Sequence, residues 1–165
     1  HTSSPCDWSS DVCSSDLDGD VQRTERDEMS TFQRVLSLGS RSRGLHEITS
    51  EVAAVVGESP VDSGLCNVFL RHTSASLCIN ENADPTARAD LEAYLDRLVP
   101  ENQPYFRHTH EGPDDMPSHI KNVLTETSLV IPVVDGRLAL GTWQGIYLWE
   151  HRDRASGRSL VVSVW

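Results

Sequence analysis

Ser128-Leu-Val-Ile-Pro-Val-Val-Asp-Gly-Arg-Leu-Ala-Leu140 is the stretch that decides the fold. An apolar, β-branched run from Ser128 to Val134 meets Asp135-Gly136, a dipeptide suited to the positive φ angles of a two-residue hairpin. Arg137 to Leu140 then returns. Two more segments of strand character follow, Gln144 to Trp149 and Ser159 to Trp165, joined by a polar Arg/Ser/Gly turn. Strands grouped late and linked by hairpins predict an antiparallel sheet with helices beside it, an α+β architecture rather than βαβ winding.

Outward from that hairpin, the rest of the chain predicts a mostly antiparallel sheet or sandwich with two to three helices. Phe32 to Leu38 alternates apolar and polar side chains, and Leu45 to Ile48 is a second short strand. Thr49 or Ser50 is positioned to cap a helix carrying Val52, Ala53, Val55 and Val56, ended by Gly57 and broken by Pro60. Leu65 to Leu70 and Leu77 to Ile79 have strand character and flank the polar stretch from Arg71 to Ser76. Asp84-Pro85 is the clearest helix start, a carboxylate N-cap followed by proline at the first helical position. Leu91, Tyr94, Leu95 and Leu98 then form an i, i+3, i+4, i+7 stripe predicted to face the core. Pro100 and Pro104 open a loop running to about Met116. Pro117 begins another helix, with Ile120, Val123 and Leu124 as its expected apolar face.

The chain has 165 residues, 25 acidic and 14 basic, for a net charge of −11. Its opening is a separate matter. Residues 1–17 show no period of a strand or helix, and Trp8 to Leu17 resembles a translated sequencing-library adaptor. Residues 1–28 are therefore expected to be a non-native or disordered extension, with Met29 as the natural start and 29–165 as a single domain. Residues 1–28 hold 8 acidic and 2 basic residues, so 17 face 12 in the remainder, a net of −5. A mildly acidic domain lacks the electrostatic footprint of a nucleic-acid binder. Nothing approaches the roughly 18 apolar residues of a membrane helix, and no signal-peptide pattern is present. Cys66 and Cys78 each sit in an apolar run and read as small buried hydrophobes, so a reducing cytoplasm is the expected compartment.

Three clusters carry chemistry. His108-Thr-His-Glu-Gly-Pro-Asp-Asp-Met-Pro-Ser-His119 packs three imidazoles and three carboxylates into a loop and a first helical turn. These donors suit zinc, magnesium or manganese, although the same residues also describe a solvated loop whose Asp114 and Asp115 complement a helix dipole. Arg71-His-Thr-Ser-Ala-Ser76, continuing to Asn80 and Asp84, could hold an anion or pair His72 with a serine hydroxyl. Turn capping is its plainer reading. In Gly141-Thr-Trp-Gln-Gly-Ile-Tyr-Leu-Trp-Glu-His-Arg152, the two glycines suggest a bulge or close backbone approach. There Trp143 and Gln144 could wall a planar substrate, Tyr147 and Trp149 read as core, and Glu150 could pair with Arg152 across one strand face.

The strings RHTSASLCINENADP (71–85), EGPDDMPSHIKNVL (111–124) and GRLALGTWQGIYLWEHR (136–152), in that order, resemble the YjbQ-like family, often labelled secondary thiamine-phosphate synthase. The resemblance covers nearly all of residues 29–165. It implies an α+β antiparallel fold, a homotrimer, and a polar pocket built from the three motifs near a subunit interface. It also implies weak synthase activity, in which a thiazole phosphate displaces pyrophosphate from a pyrimidine pyrophosphate. Metal-assisted hydrolysis of a small phosphorylated metabolite and non-catalytic capture of a metabolite or metal are the alternatives. Carried over residue by residue, the resemblance marks His72, His108, His119 and Asp114 as ligands of a divalent metal, and Asp115, Glu111 and Glu150 as catalytic acids. Thr73, Ser74, Ser76, Asn80, Lys121, Thr142, Gln144 and Arg152 are expected to bind substrate or phosphate. His110 falls where relatives often carry another residue and is left outside the set.

Overall fold

The structure, a computed structural model, describes residues 31–165. The expectation of a non-native extension at 1–28 and a start at Met29 lies outside them. The chain begins with β1 (Phe32–Leu38), β2 (Gly44–Glu47) and α1 (Thr49–Glu58), then β3 (Gly64–Leu70) and β4 (Ala75–Glu81). Two helices follow, α2 (Pro85–Leu98) and α3 (Asp115–Leu124), with the loop 99–114 between them. The last part is all strand: β5 (Ser128–Val134), β6 (Arg137–Leu138), β7 (Gln144–Glu150) and β8 (Arg158–Val164). Every pairing between these strands is antiparallel. A larger sheet runs β1-β8-β3-β5-β6 and a smaller one β2-β7-β4. The α+β expectation holds.

Asp135 and Gly136 turn the β5–β6 hairpin with φ angles of 51° and 67°, the left-handed pair that the dipeptide promised. The returning strand is shorter than expected, with only Arg137 and Leu138 in ladder and the Ala139 N–H donating to the Pro132 carbonyl at 2.9 Å. The inner faces of the two sheets meet in one core, where Val68, Leu70, Leu160 and Val162 of the larger sheet pack with Leu77, Ile146 and Leu148 of the smaller. Val52, Val55 and Val56 of α1 join that core. On the other face of β7, Tyr147 and Trp149 pack with Leu45, Leu95 and Val99. All of β7 beyond Gln144 is thus buried, because it is the middle strand of its sheet and both its faces are covered.

Three local expectations fail for physical reasons. Neither Thr49 nor Ser50 caps α1: its N-cap is Ile48, without a side-chain bond, and the Thr49 hydroxyl instead accepts from the Ile146 N–H at 2.9 Å. On α2 only Leu95 of the stripe is buried, while Tyr94 and Leu98 stay 66% and 56% exposed. A three-stranded sheet offers a narrow surface, and the seam of Leu91, Leu95 and the following Val99 fills it. On α3 Ile120 packs against the core as expected, but the rest of the expected face inverts. Val123 and Leu124 are 81% and 57% exposed, and the buried face is Asp115, Pro117, Ser118 and Lys121. Asp84 does cap α2 as read, its carboxylate accepting from the Thr86 N–H at 2.8 Å. No helix among the described residues is long and apolar enough to cross a membrane.

Leu148 is fully buried where the two sheets meet. Its replacement by alanine should destabilise the fold by about 2–5 kcal/mol through lost transfer energy and a residual cavity, read as a shift of the urea unfolding midpoint at unchanged slope.

Candidate metal centre

The inverted face of α3 builds the site. Asp115, at the first position of α3, is almost fully buried with its carboxylate against the Arg152 guanidinium just past the end of β7. Arg152 is held from three sides: Nη1 meets Asp115 Oδ1, Nε donates to Asp114 Oδ2 at 3.0 Å, and Nη2 donates to the Glu111 carbonyl at 2.7 Å. Asp114 also accepts the Asp153 N–H at 2.9 Å. Burial alone would raise the Asp114 carboxyl, but the Asp153 N–H and Arg152 outweigh it and hold it below its ordinary value.

Asp115 keeps its second oxygen free. Oδ2 is buried and has no hydrogen-bond partner. His108 Nε2 lies 2.8 Å from it, but off the line a hydrogen bond requires. One helical turn on, His119 places Nε2 3.6 Å from Asp115 Oδ1. Its Nδ1 lies 2.8 Å from the Thr73 carbonyl, a pure acceptor, so in the neutral ring Nδ1 carries the proton and Nε2 keeps its lone pair. The two imidazole rings stand 5.4 Å apart. Among the described residues, His108, Asp115 and His119 form the group whose ligand atoms all lie within 4.8 Å of one another. An orphaned buried carboxylate oxygen and two imidazoles aimed at one point fit a divalent cation. A carbonyl that fixes one imidazole tautomer is the usual support of such a ligand.

Of the other expected site residues, Arg152 and the Thr73 carbonyl touch the cluster, and the rest are not brought into it as ligands. His72 is not brought into it within the chain: its Nε2 accepts from the Ser159 N–H at 2.8 Å and its Nδ1 faces Arg158. Burial and the Arg158 charge lower its pKa, so it is a neutral ring tied to β8. Asp114 is committed to Arg152 and Asp153. Glu111 is beside Arg152 at 3.7 Å, with its side chain 70% exposed. Glu150 does not pair with the Arg152 side chain. It is fully buried and grips Arg158 through two bonds of 2.6 Å, because Arg152 is drawn away to the acids of α3.

The expected phosphate set is largely occupied by internal partners. Ser74 Oγ accepts from Arg158 at 3.1 Å, Ser76 Oγ lies 2.9 Å from His151 Nε2, and Lys121 Nζ donates to Asp96 at 2.5 Å. Thr73 contributes its carbonyl to His119. Asn80, Thr142 and Gln144 lie at or beyond the other end of the β4–β7 ladder, where Glu81 pairs with Gln144. Arg158, His151, Asp96 and Arg43 were not singled out from sequence. Arg158 stood in a polar turn that gave no sign of burial, and only its pairing across two sheets reveals its role. The Cys66 and Cys78 thiols are free, and burial pushes both up to about 11, as expected of inert buried cysteines.

His151 is the most perturbed imidazole. Burial, and then the charges of Lys121, Arg43 and Arg158, push it down to about 3. A His held neutral when folded binds a proton more readily when unfolded, so stability is full above about pH 6.5 and falls as pH drops toward 3. Between pH 7.5 and pH 5 this group should remove about 2 kcal/mol of unfolding free energy. His151→Gln should lose less over that interval in paired denaturant titrations, and an equal loss in both proteins would refute the assignment.

A family model described as UPF0047 protein YjbQ-like matches residues 34–165. A UPF0047 protein of Synechocystis sp. is 52% identical over 80% of this chain and 90% of its own length. The UPF0047 protein YjbQ of Salmonella typhimurium is 48% identical over 81% and 96%. Among solved structures, a conserved hypothetical protein from Thermus thermophilus superimposes with a TM-score of 0.71 at 32% identity, covering 80% of this chain and 99% of that one. An uncharacterised YjbQ/UPF0047 family protein from Clostridium acetobutylicum gives 0.70 at 37% identity, over 81% and 98%. The matched segment holds both sheets, all three helices and every residue of the His/Asp cluster, and the chain belongs to the YjbQ-like UPF0047 family.

Proposed function

We propose that His108, Asp115 and His119 hold a divalent cation, used in metal-assisted chemistry on a small phosphorylated metabolite. The observation that carries this reading is the buried Asp115 carboxylate, whose Oδ2 has no hydrogen bond and lies 2.8 Å from His108 Nε2, while His119 Nε2 stands 3.6 Å from Oδ1. Two imidazoles and one carboxylate suit zinc or manganese better than magnesium, which prefers oxygen donors. Three protein ligands leave coordination positions for water or substrate, the pattern of catalytic rather than structural centres. A cation bound there supplies Lewis acidity to a phosphoryl oxygen and to developing negative charge. Arg152 orients Asp115, and the Thr73 carbonyl orients His119. A cavity of about 310 Å³ shares His108 with the cluster and is walled by Phe106, Pro113 and Met116, giving a substrate body a place beside the cation.

Pyrophosphate displacement by a thiazole phosphate is one reaction such a site could run, and hydrolysis of a phosphate ester is another. We favour the synthase reaction as a side activity. With Cys66 and Cys78 as free thiols, the cytoplasm is the proposed compartment.

The full chain, dialysed against zinc or manganese and then buffer, should carry about one metal per chain by elemental analysis. His119→Ala should lower metal affinity at least tenfold while leaving the circular dichroism unchanged. A folded parent that takes up no metal defeats the proposal. A metal-loaded protein whose melting temperature rises with phosphate esters and thiamine precursors, yet turns none over, is a capture module and not an enzyme.

We also infer that copies of the chain associate, as a trimer, through the outer face of the larger sheet. Val35, Leu65, Phe69, Val130 and Val134 are 39–60% exposed on β1, β3 and β5, where no layer of the described residues covers them. Adjacent exposed apolar residues of this kind mark association surfaces. Light scattering should give three times the 18.3 kDa chain mass, and Phe69→Asp should reduce it to one. A monomeric parent at micromolar concentration would refute it.

A further inference from the structure

The end of the smaller sheet away from the His/Asp cluster carries a second recognition surface. A groove of about 450 Å³ is lined by Ile79, Asn80, Glu81, Ala83, Trp143 and Gln144. The cluster lies by the Ala75–Glu150 end of the β4–β7 ladder, and the groove by its Glu81–Gln144 end, six residues along β4. At about 3.3 Å per residue the two are roughly 20 Å apart.

Trp143 is 65% exposed, yet its backbone is fixed, its carbonyl accepting from the Asn82 N–H at 3.0 Å. The turn beneath it is closed by the Gln144 N–H on the Gly141 carbonyl at 3.0 Å and the Gly141 N–H on Gln144 Oε1 at 2.8 Å. A Cβ at Gly141 would stand 3.3 Å from Gln144 Oε1, a tight contact that a small shift of the amide would relieve. Asn80 Oδ1 likewise accepts from the Glu81 N–H at 2.7 Å. Both amides spend their oxygens on backbone donors, which settles their orientation and leaves the NH2 groups as donors. The remaining polar group of the groove is the Glu81 carboxylate, an acceptor.

The groove thus combines an aromatic platform, two amide donors and one acid, with no cation among its lining residues. An anionic ligand would meet Glu81 without a counter-charge, so phosphate is disfavoured here. What fits is a neutral ring with one face to lay on the indole and adjacent groups that both donate and accept hydrogen bonds. We propose that this groove is a binding site for such a ring, independent of the metal centre. A sugar and a nucleobase both present that chemistry, and the probes below distinguish them.

The full chain, labelled on its tryptophan indoles, would be titrated with methyl glucoside, guanosine and inorganic phosphate while the Trp143 indole N–H is followed by NMR. A saturable shift of that signal with one of the two neutral rings, and none with phosphate, is expected. Trp143→Ala and Gln144→Ala should each weaken the calorimetric affinity for that ring at least tenfold, with metal uptake unchanged. No response to either ring at millimolar concentration, a response to phosphate, or ring binding indifferent to Trp143→Ala would overturn the site.

Discussion

Arg152 reaches from the end of β7 into the first turn of α3, where its guanidinium meets Asp114, Asp115 and the Glu111 carbonyl. Asp115 is almost fully buried, so removing the Arg152 guanidinium would leave its charge buried and uncompensated. The pair therefore fixes how α3 lies against the small sheet. It also divides the work of Asp115: Oδ1 meets Arg152, with His119 nearby, and Oδ2 is left facing His108.

The same constraint explains why α3 turns its polar side inward. Asp115, Ser118 and Lys121 recur every three residues and so share a face. That face finds Arg152, the Asp115 carbonyl and Asp96 respectively. Next to them Asn122 donates to the Ala75 carbonyl at 2.5 Å, tying the helix to β4. Burying that set satisfied outweighs burying Val123 and Leu124, which stay exposed. Glu150 and Arg158 perform a related function between the sheets, one from β7 and the other from β8. Ser74 and His72 gather around the same guanidinium.

The small sheet therefore carries two polar ends of different character. One end is dense with charge, where carboxylates, imidazoles and guanidiniums offset one another around a point fit for a cation. The other presents an indole, two amides and a single acid. Six residues of β4 separate the two ends.

The residues alone determined a good deal. Period-two alternation and Asp135-Gly136 specified antiparallel strands, and Asp84-Pro85 specified the start of α2, because these depend on local sterics and local hydrogen bonds. Ligand types in the loop before α3 were also legible, since His and Asp at such density carry their chemistry wherever they fold. Tertiary structure alone decided which of them converge. His72 and Asp114 have suitable donor atoms but spend them on Ser159, Arg152 and Asp153, and no spacing in the chain announces those partners. The inward polar face of α3 was likewise hidden, because hydrophobic periodicity assumes that apolar side chains win the interior. Here ion pairs with Asp96 of α2 and with Arg152 past the end of β7, neither announced by the helix's own sequence, reversed the balance.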